Sequence, residues 1–300
     1  MFKLKPYEER TPDRQYQDLL RYVVDNGKWK KNTNQGLPAL TVFRPPIQLR
    51  YDLQNGFPLI TERRISFWRK AVGEIFAFVN GATTTKELEA FGCDWWSTWA
   101  TKENAENVGL EEGQLGNFAS YGAAFHHFPT PNKPEGFNQF EALVLGLKQK
   151  PWSRTNLISP WVPYFASEFG KRRVFCAPCH GWINCHVHDG ILDLAMDQRS
   201  ADLIIGVPAN LIQYSVLLLA LAEVTGLIPG EYIHTFVDAH IYANQMEAVA
   251  DILDREPLRL PTVKIVDPEK INSLFDFRTQ HFEVSDYHPH PPISDIPVAV

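Results

Sequence analysis

The sequence predicts a single α+β domain that spans residues 1–300. Segments with strand character and segments with helical spacing are intermixed along the chain, without the regular strand–helix–strand rhythm of a doubly wound sheet. No internal repeat, low-complexity tract or Gly/Ser-rich linker divides the chain, and a hydrophobic content of 44% is enough for one large core. We therefore treat the chain as one folding unit.

Helical spacing and proline positions define the elements of the first half. Between residues 66 and 80, apolar side chains recur every three or four residues, which is typical of a helix, and Gly81 ends it. Residues 38–53 alternate as strands do, and Pro45 and Pro46 interrupt them. The predicted elements are helices at residues 15–26, 66–80 and 138–149, a short helix from Thr84, and two strands within residues 38–53.

Short strands and one strongly apolar helix make up the predicted second half. The segments GWINCHVHDG and ILDLAMDQ are joined by an Asp-Gly pair, which favours a β-hairpin. The helix predicted from Ala209 to Thr225 is apolar nearly all round, so it should lie in the middle of the protein. Further strands are predicted at NLISPW, RRVFCA and EYIHTFVD, and a further helix from Ala239 to Leu253.

Charge and composition exclude several classes of partner. The formal net charge is −6, whereas a nucleic-acid or membrane-surface protein needs a surplus of basic residues on one face. The N-terminal residues contain no apolar stretch of the signal-peptide kind, and the most apolar run, Ser215–Ala222, is shorter than the ~20 residues that cross a bilayer. Four cysteines in such a chain are typical of free thiols, so we expect a cytoplasmic protein.

The stretch CAPCHG at residues 176–181 is open to three interpretations. As a zinc site it offers Cys176, Cys179 and Cys185, but neighbouring side chains on a strand point to opposite faces, so Cys185 and His186 would not share an ion. As a redox pair, a CxxC sequence belongs at a helix N-terminus, whereas this one leads into a predicted strand. As a nucleophile, Cys179 needs only a nearby cation that lowers the pKa of its thiol.

A cation for Cys179 is available from the next strand of the predicted hairpin. The residues DQRSAD, at 197–202, place Arg199 near the end of that strand. The hairpin would therefore bring a guanidinium towards the stretch that contains Cys179.

The motifs around Cys179 resemble those of one enzyme family. APCH (177–180), DQRSADLIIGVPAN (197–210) and HTFVDAHIYANQ (234–245) resemble thymidylate synthases in order and approximate spacing. Further counterparts are RYDLQNGFPLIT, GEIFAFVNGATTTKEL, SRT before a predicted strand, DREPLRLP and the terminal HPHPPISDIPVAV. The resemblance implies a single α+β domain with a large mixed β-sheet covered by helices, in which one sheet face is used for homodimerisation.

The resemblance also implies a reaction and its chemical groups. Cys179 is similar in position to a cysteine that adds to C6 of a pyrimidine nucleotide, after which C5 takes a one-carbon unit from 5,10-methylenetetrahydrofolate. Arg199 resembles the arginine that lies beside the thiolate and also contacts phosphate. Glu74 matches the glutamate that organises proton transfer through ordered water, with Tyr121 assisting.

The same resemblance assigns the other site residues to the two substrates. Asn210 matches the asparagine that bonds the uracil edge, and because relatives acting on cytosine carry aspartate there, uracil is favoured. His240 and Tyr242 are similar to the pair that binds the sugar 3′-hydroxyl, and Arg154 to an arginine lent across the dimer interface. The remaining implied nucleotide contacts are Gln198 and Ser200, and the implied folate contacts are Trp96, Trp99, Asp202 and Val300, whose carboxylate would help to close a lid.

Several positions depart from the family pattern and keep alternatives open. Asn34 and Thr155 stand where arginines that bind phosphate are expected, and Asn184 replaces a glutamine. Methylation of dUMP is the leading hypothesis. The alternatives are 5-hydroxymethylation of dUMP or another pyrimidine nucleotide, binding of a nucleoside or another phosphorylated ligand, and a non-catalytic metal-binding protein that uses Cys176, Cys179 and Cys185.

Overall fold

The computed structural model describes residues 3–33, 35–170 and 173–299. The helices within them are α1 (Gln15–Asn26), α2 (Trp68–Val79), α3 (Thr85–Ala90), α4 (Lys102–Glu106), α5 (Tyr121–His126), α6 (Gln139–Gln149), α7 (Pro163–Ala166), α8 (Gly206–Thr225) and α9 (Met246–Leu253). The strands are β1 (Lys28–Lys30), β2 (Ala39–Phe43), β3 (Leu49–Asp52), β4 (Phe128–Thr130), β5 (Lys133–Phe137), β6 (Leu157–Ile158), β7 (Trp182–His188), β8 (Ile191–Asp202), β9 (Ile228–Tyr242), β10 (Thr262–Ile265) and β11 (Phe282–Ser285).

A seven-stranded mixed sheet organises the fold, which confirms the predicted α+β class. Its strand order is β1-β2-β9-β8-β7-β6, and β3 also pairs with β9. The pair β8–β9 is parallel, and the other pairs of this sheet are antiparallel. Because β8 and β9 run side by side over ten paired positions, residues from Gln198 to Asp202 lie beside residues from Phe236 to His240.

Helix α8 forms the centre of the core, as its apolar sequence predicts. It begins three residues earlier than predicted, at Gly206, and its side chains are buried along most of its length. By length and composition alone α8 could span a membrane, but 83% of its most apolar window is buried inside the protein. Such burial is that of a core helix, which packs against α2 and the sheet.

Elements with strong local signals form where the sequence predicts them. The helices at residues 15–26, 66–80 and 138–149 appear as α1, α2 and α6, and the helix from Thr84 appears as α3, which a Thr84–Glu87 capping box begins. The predicted hairpin forms from β7 and β8, with Asp189 and Gly190 at positive φ in its turn.

Two predicted elements are wrong, and long-range pairing explains both. The predicted strand RRVFCA does not form over its described residues 173–177, where the backbone of Phe175 bonds instead to a loop at Leu115. The predicted helix from Ala239 is strand until Tyr242, because Ala239 pairs with β2 on one side and with β8 on the other. Backbone hydrogen bonds to two neighbouring strands outweigh the local helical pattern of the sequence.

The face of the sheet opposite α8 is open along β7. Ile183 and Cys185 of this strand are buried, whereas Asn184, His186 and His188 are exposed. Alternate side chains of a strand point to opposite faces, so one face of β7 packs on the core and the other is uncovered in a single chain.

Candidate active site

The turn that carries Cys179 is fixed to the end of strand β8. The carbonyl oxygen of Cys179 accepts hydrogen bonds from the backbone N–H groups of Arg199 (2.7 Å) and Ser200 (3.3 Å). Its own backbone N–H donates to the Tyr121 hydroxyl at 2.7 Å. The chain thus enters β7 with the Cys179 side chain held between β8 and α5.

Arg199 occupies the place beside the thiol that the sequence predicts. Its Nη2 lies 3.6 Å from Sγ of Cys179, and the same guanidinium donates to the carbonyl oxygens of Ala177 (3.2 Å) and Pro178 (3.1 Å). The guanidinium also lies over the Trp161 ring, 5.4 Å from its centroid. These contacts leave little freedom for the charge to move away from the sulfur.

The surroundings of Cys179 favour the thiolate. A hydrogen bond from Cys176, the charges of Arg199 and His240, and a hydrogen bond from Tyr121 together lower the pKa of Cys179 to about 6, against the opposing effect of burial. Hydrogen bonds and positive charges stabilise the anion relative to the neutral thiol. A substantial fraction of Cys179 is therefore the nucleophilic anion at neutral pH.

Cys179 lines a cavity of about 660 Å³ in which several predicted residues meet. Cys179 lines it together with Arg199 and Ser200. The wall also includes Trp96 and Trp99, whose rings pack edge to face with their centroids 5.7 Å apart. The C-terminal residues Val298 and Ala299 also line the cavity, whereas the predicted Val300 lies outside the described residues. The volume of this cavity is within the range of sites that bind small molecules.

A buried chain of amides connects Asn210 to Glu74. Gln198 Nε2 donates to Asn210 Oδ1 at 3.0 Å, and Asn210 Nδ2 donates to Gln213 Oε1 at 2.9 Å. Gln213 in turn donates to a carboxylate oxygen of Glu74. Gln198 is itself held by His234, whose Nε2 lies 2.7 Å from Gln198 Oε1. Each amide is fixed in orientation, because its donor and its acceptor are both engaged.

Glu74 is buried, with only 6% of its surface exposed. One carboxylate oxygen accepts from Trp95 Nε1 at 2.8 Å and from Trp96 Nε1, while the other accepts from Gln213. Burial outweighs these donors and raises the pKa of Glu74 to about 7. A carboxyl group with this pKa can exchange protons near neutral pH, as a proton-transfer group must.

Glu74 should make the stability of the protein fall between about pH 5.5 and pH 8. Because its folded-state pKa is raised from 4.5 to about 7, its contribution is fully present below the unfolded value and is lost as pH rises through the folded value. Relative to Glu74→Gln, which does not titrate, the wild type should lose about 2 kcal/mol of unfolding free energy over this range. Urea unfolding of both proteins, at one protein concentration, measures the difference; parallel pH profiles would contradict the raised pKa.

Asp202, His240 and Tyr242 lie beside this region on the paired ends of β8 and β9. Oδ1 of Asp202 accepts from the backbone N–H groups of Ile204 and Ile205, just before α8, and Oδ2 accepts from Gln245 Nε2 at 3.0 Å. Gln245 also donates to the carbonyl oxygen of Pro297, so Asp202 is connected to the C-terminal tail. His240 Nδ1 lies 3.1 Å from Asp238 Oδ1, and the Tyr242 hydroxyl bonds to Gln35 at 3.0 Å.

The phosphate-binding arginine predicted at residue 154 does not join the cavity of its own chain. Arg154 is exposed, in the loop before β6, and is absent from the described cavity wall. Of the substituted positions, Asn34 lies outside the described residues. Lys30, a cation four residues before Asn34 in the sequence, forms an ion pair with Asp238, with Nζ 3.0 Å from Oδ2.

The three cysteines do not form a metal site among the described residues. Cys185 is buried on β7, and burial raises the pKa of its thiol to about 12, which disfavours the metal-binding thiolate. Within the part of the chain that the structure describes, the group with suitable metal-ligand spacing is instead His186, His188 and Asp193, on the open face of the β7–β8 hairpin.

Sequence reasoning missed the groups that support the site from a distance. Gln213, His234 and Trp95 were not predicted as site residues. Their roles depend on partners that are far away along the chain, because Gln213 and Trp95 bond to Glu74 and His234 bonds to Gln198. Helical spacing offered one signal, since Gln213 is three residues after Asn210 and lies on the same side of α8.

Comparison with known proteins agrees with this arrangement. The family model described as thymidylate synthase matches residues 14–300. The chain is also 34% identical, over 303 residues, to a thymidylate synthase of Herpesvirus ateles, and the match covers 98% of this chain and 100% of that protein. The chain therefore belongs to the thymidylate synthase family.

Proposed function

We propose that this protein methylates dUMP at C5, with Cys179 as nucleophile and 5,10-methylenetetrahydrofolate as one-carbon donor. Family membership supports a methyltransferase with this donor, and it does not favour the hydroxymethylase alternative. The observation that carries the proposal is the position of Sγ of Cys179 in the cavity, 3.6 Å from the Arg199 guanidinium. A cation at this distance keeps the sulfur nucleophilic at neutral pH.

Covalent addition of Cys179 prepares C5 for the transfer. When the thiolate bonds to C6 of the uracil ring, the electron pair of the C5–C6 double bond moves to C5 and the C4 carbonyl, and C5 can then attack the one-carbon unit. Loss of the C5 proton and departure of the folate leave a methylene group, which a hydride from the tetrahydrofolate reduces to methyl. The thiolate then leaves C6, and the products are dTMP and dihydrofolate.

The amide chain gives the uracil ring a fixed polar partner. We assign Asn210 to the base edge, because its side chain is buried, with 4% of its surface exposed, and is held by Gln198 and Gln213. Through Gln213 the same chain reaches Glu74, whose pKa near 7 suits proton transfer at the carbonyl end of the ring. Tyr121, which bonds to the Cys179 backbone, assists in the C5 proton step.

The sugar and phosphate are assigned to the ends of β8 and β9. Arg199 and Ser200 face the cavity beside the nucleophile and contact the phosphate, and a guanidinium provides two parallel donors for its oxygens. His240 and Tyr242 bind the 3′-hydroxyl. Both belong to the last residues of β9, where His240 pairs with Asp202 of β8 and Tyr242 pairs with Ala39 of β2.

The folate is assigned to the aromatic wall and the C-terminal tail. Trp96 and Trp99 provide flat apolar surfaces in the cavity. We assign the pterin to the carboxylate of Asp202, which Gln245 connects to the C-terminal tail. The tail already contacts this region through the Gln245–Pro297 hydrogen bond. We assign Val300 to closure of the cavity, which would exclude water from the methylene intermediate and so favour methylation.

We further propose a homodimer formed through the open face of the sheet. The exposed side chains on β7 lie opposite the core face, and Arg154 is exposed outside its own cavity. In such a dimer Arg154 of one protomer would complete the phosphate site of the other. The free cysteines of the described chain are those of a protein in a reducing compartment, which supports a cytoplasmic location.

Product analysis tests the proposed reaction. Purified protein is given dUMP labelled with tritium at C5 together with 5,10-methylenetetrahydrofolate, and we expect tritium release and dihydrofolate formation in equal amounts, with dTMP identified by mass spectrometry. Tritium release without dihydrofolate would instead support hydroxymethylation. Parallel reactions with dCMP, UMP and CMP test the base and sugar. No release from any nucleotide would contradict the proposal.

A further inference from the structure

The open face of the β7–β8 hairpin carries two histidines and a carboxylate that the proposed reaction does not use. His186 and His188 are alternate residues of β7 and project from the same face, where Asp193 of β8 is paired with His186. Each residue offers one ligand atom, and these three atoms lie within 4.8 Å of one another. His188 Nδ1 is 3.5 Å from Asp193 Oδ2. The antiparallel pairing therefore brings three potential metal ligands together on one hairpin.

Strand β9 fixes the orientation of the Asp193 carboxylate. The register of β8 against β9 shifts at Asp193, so that two residues of β9, Gly230 and Glu231, lie opposite this one residue. The backbone N–H of Glu231 donates to Oδ1 of Asp193 at 2.7 Å. Gly230 makes room for the same oxygen, because a Cβ atom there would lie only 2.2 Å from it. Such a β-bulge redirects a side chain, and here it leaves Oδ2 beside His188.

The charge of this carboxylate is not balanced by a basic side chain of the described ranges. The Asp193 side chain is only 17% exposed, and its ionic partner there is His188, which is a cation only when protonated. Arg50, on the neighbouring β3, is engaged by the side chain of Glu231. A largely covered anion is costly without a cationic partner. A metal cation held between Asp193 and the histidines would supply that partner.

We propose that His186, His188 and Asp193 bind a divalent cation of the zinc type, through one imidazole nitrogen of each histidine and Oδ2 of Asp193. Zinc holds imidazole and carboxylate ligands at about 2.0–2.2 Å, so two ligands of a tetrahedral ion are about 3.4 Å apart. The His188–Asp193 distance of 3.5 Å already meets this requirement. Because His186 is exposed, rotation of its side chain brings the third ligand to the same spacing. The fourth position is left to water.

The site is complete within one chain, although it lies on the face that we assign to the homodimer. All three ligands belong to one hairpin, and His188 is the last residue of β7, directly before the turn at Asp189 and Gly190. If a second copy covers this end of the face, Asp193 loses more of its water and a balancing cation becomes more important. Binding of the cation requires neither nucleotide nor folate.

Zinc titration of protein with alkylated thiols tests the inference. Iodoacetamide treatment comes first, because the Cys179 thiolate could otherwise bind zinc. Calorimetry should then show binding of one zinc ion per chain, and zinc should raise the Tm of the wild type. Replacing either exposed histidine, in His186→Gln or His188→Gln, should weaken binding by about 100-fold, since even the loss of groups that only orient metal ligands costs about 10- to 100-fold.

Further variants separate loss of a ligand from disturbance of the fold. Asp193→Asn removes the charge and keeps an oxygen that can accept from Glu231, so it should weaken binding to a similar extent. Gly230→Ala should weaken binding without removing a ligand, because its methyl group displaces the carboxylate. His288→Gln replaces an exposed histidine outside the group and should bind zinc as the wild type does. Equal zinc affinities of wild type and His186→Gln, or no zinc binding by the alkylated wild type, would overturn the inference. Failure of the proposed reaction would be seen separately, as absence of tritium release from protein that has not been alkylated.

Discussion

Replacing Cys179 with serine should reduce tritium release from C5 of dUMP by at least about 10³-fold, an increase in barrier of about 4 kcal/mol. A serine hydroxyl remains protonated beside Arg199, because its pKa is far above that of the thiol, which the site lowers to about 6. Without the anion there is no addition to C6, and C5 is not activated. Nucleotide binding should change much less than the rate, since no proposed contact to sugar or phosphate is removed.

The matched control is the same substitution at another cysteine. Cys185→Ser exchanges a buried thiol on β7 that lies outside the cavity wall, so activity should remain once folding has been verified by circular dichroism. In the wild type, the rate of tritium release should rise with pH, and the midpoint of this rise should lie near the pKa of Cys179, which is about 6. Tritium release by Cys179→Ser at the wild-type rate would refute covalent catalysis by this residue.

The sequence could identify the parts of the site that lie within short motifs. Cys179 and Arg199 are placed next to each other by a hairpin whose Asp-Gly turn is a local signal, and the structure brings them to 3.6 Å. Asn210 is predicted as a site residue because it ends the motif DQRSADLIIGVPAN that resembles the family, and it lies in the first turns of α8. In these cases the local geometry of the chain and the chemistry of its side chains predict the same site.

Features that depend on distant partners could not be predicted in the same way. The helical pattern of α2 alone suggests a solvated Glu74, yet α8 and the tryptophan segment enclose it and supply its donors. The local sequence around His240 and Tyr242 predicts a helix, but pairing with β2 and β8 extends strand β9 through these residues. Burial and strand pairing depend on the whole fold, so a short window of sequence predicts neither of them.

Because of the departures from the family pattern, we expect phosphate binding to depend more strongly on Arg199. The arginine expected at residue 155 is absent, Arg154 is exposed, and Lys30 is engaged by Asp238. Arg199 is therefore the arginine that the described cavity wall presents near the nucleophile. Its guanidinium has more than one function, because it holds the turn carbonyls, faces the sulfur and is assigned to phosphate.

Arg199→Lys should therefore lower kcat/KM for dUMP by about 10²-fold or more. Lysine keeps the positive charge but not the planar fork, so the bonds to the Ala177 and Pro178 carbonyl oxygens cannot both be replaced. One carbonyl bond and one of the two parallel bonds to the phosphate are then lost, and two lost hydrogen bonds to a charged group, at about 1.5 kcal/mol each, account for a change of this size. The loss should appear in KM as well as kcat, because the phosphate contact and the orientation of the thiolate are weakened together.

Comparison with a neutral residue separates charge from geometry. In Arg199→Met the midpoint pH for alkylation of Cys179 by iodoacetamide should move to a higher value, whereas in Arg199→Lys it should stay closer to the wild-type value, since only methionine removes the cation. Arg21→Lys, an exposed arginine on α1, serves as the control and should leave both measurements unchanged. If Arg199→Met retains the wild-type midpoint and kcat/KM, then the guanidinium supports neither the thiolate nor the nucleotide, and the Cys179 thiolate must be stabilised by its other neighbours, which include Tyr121 and His240.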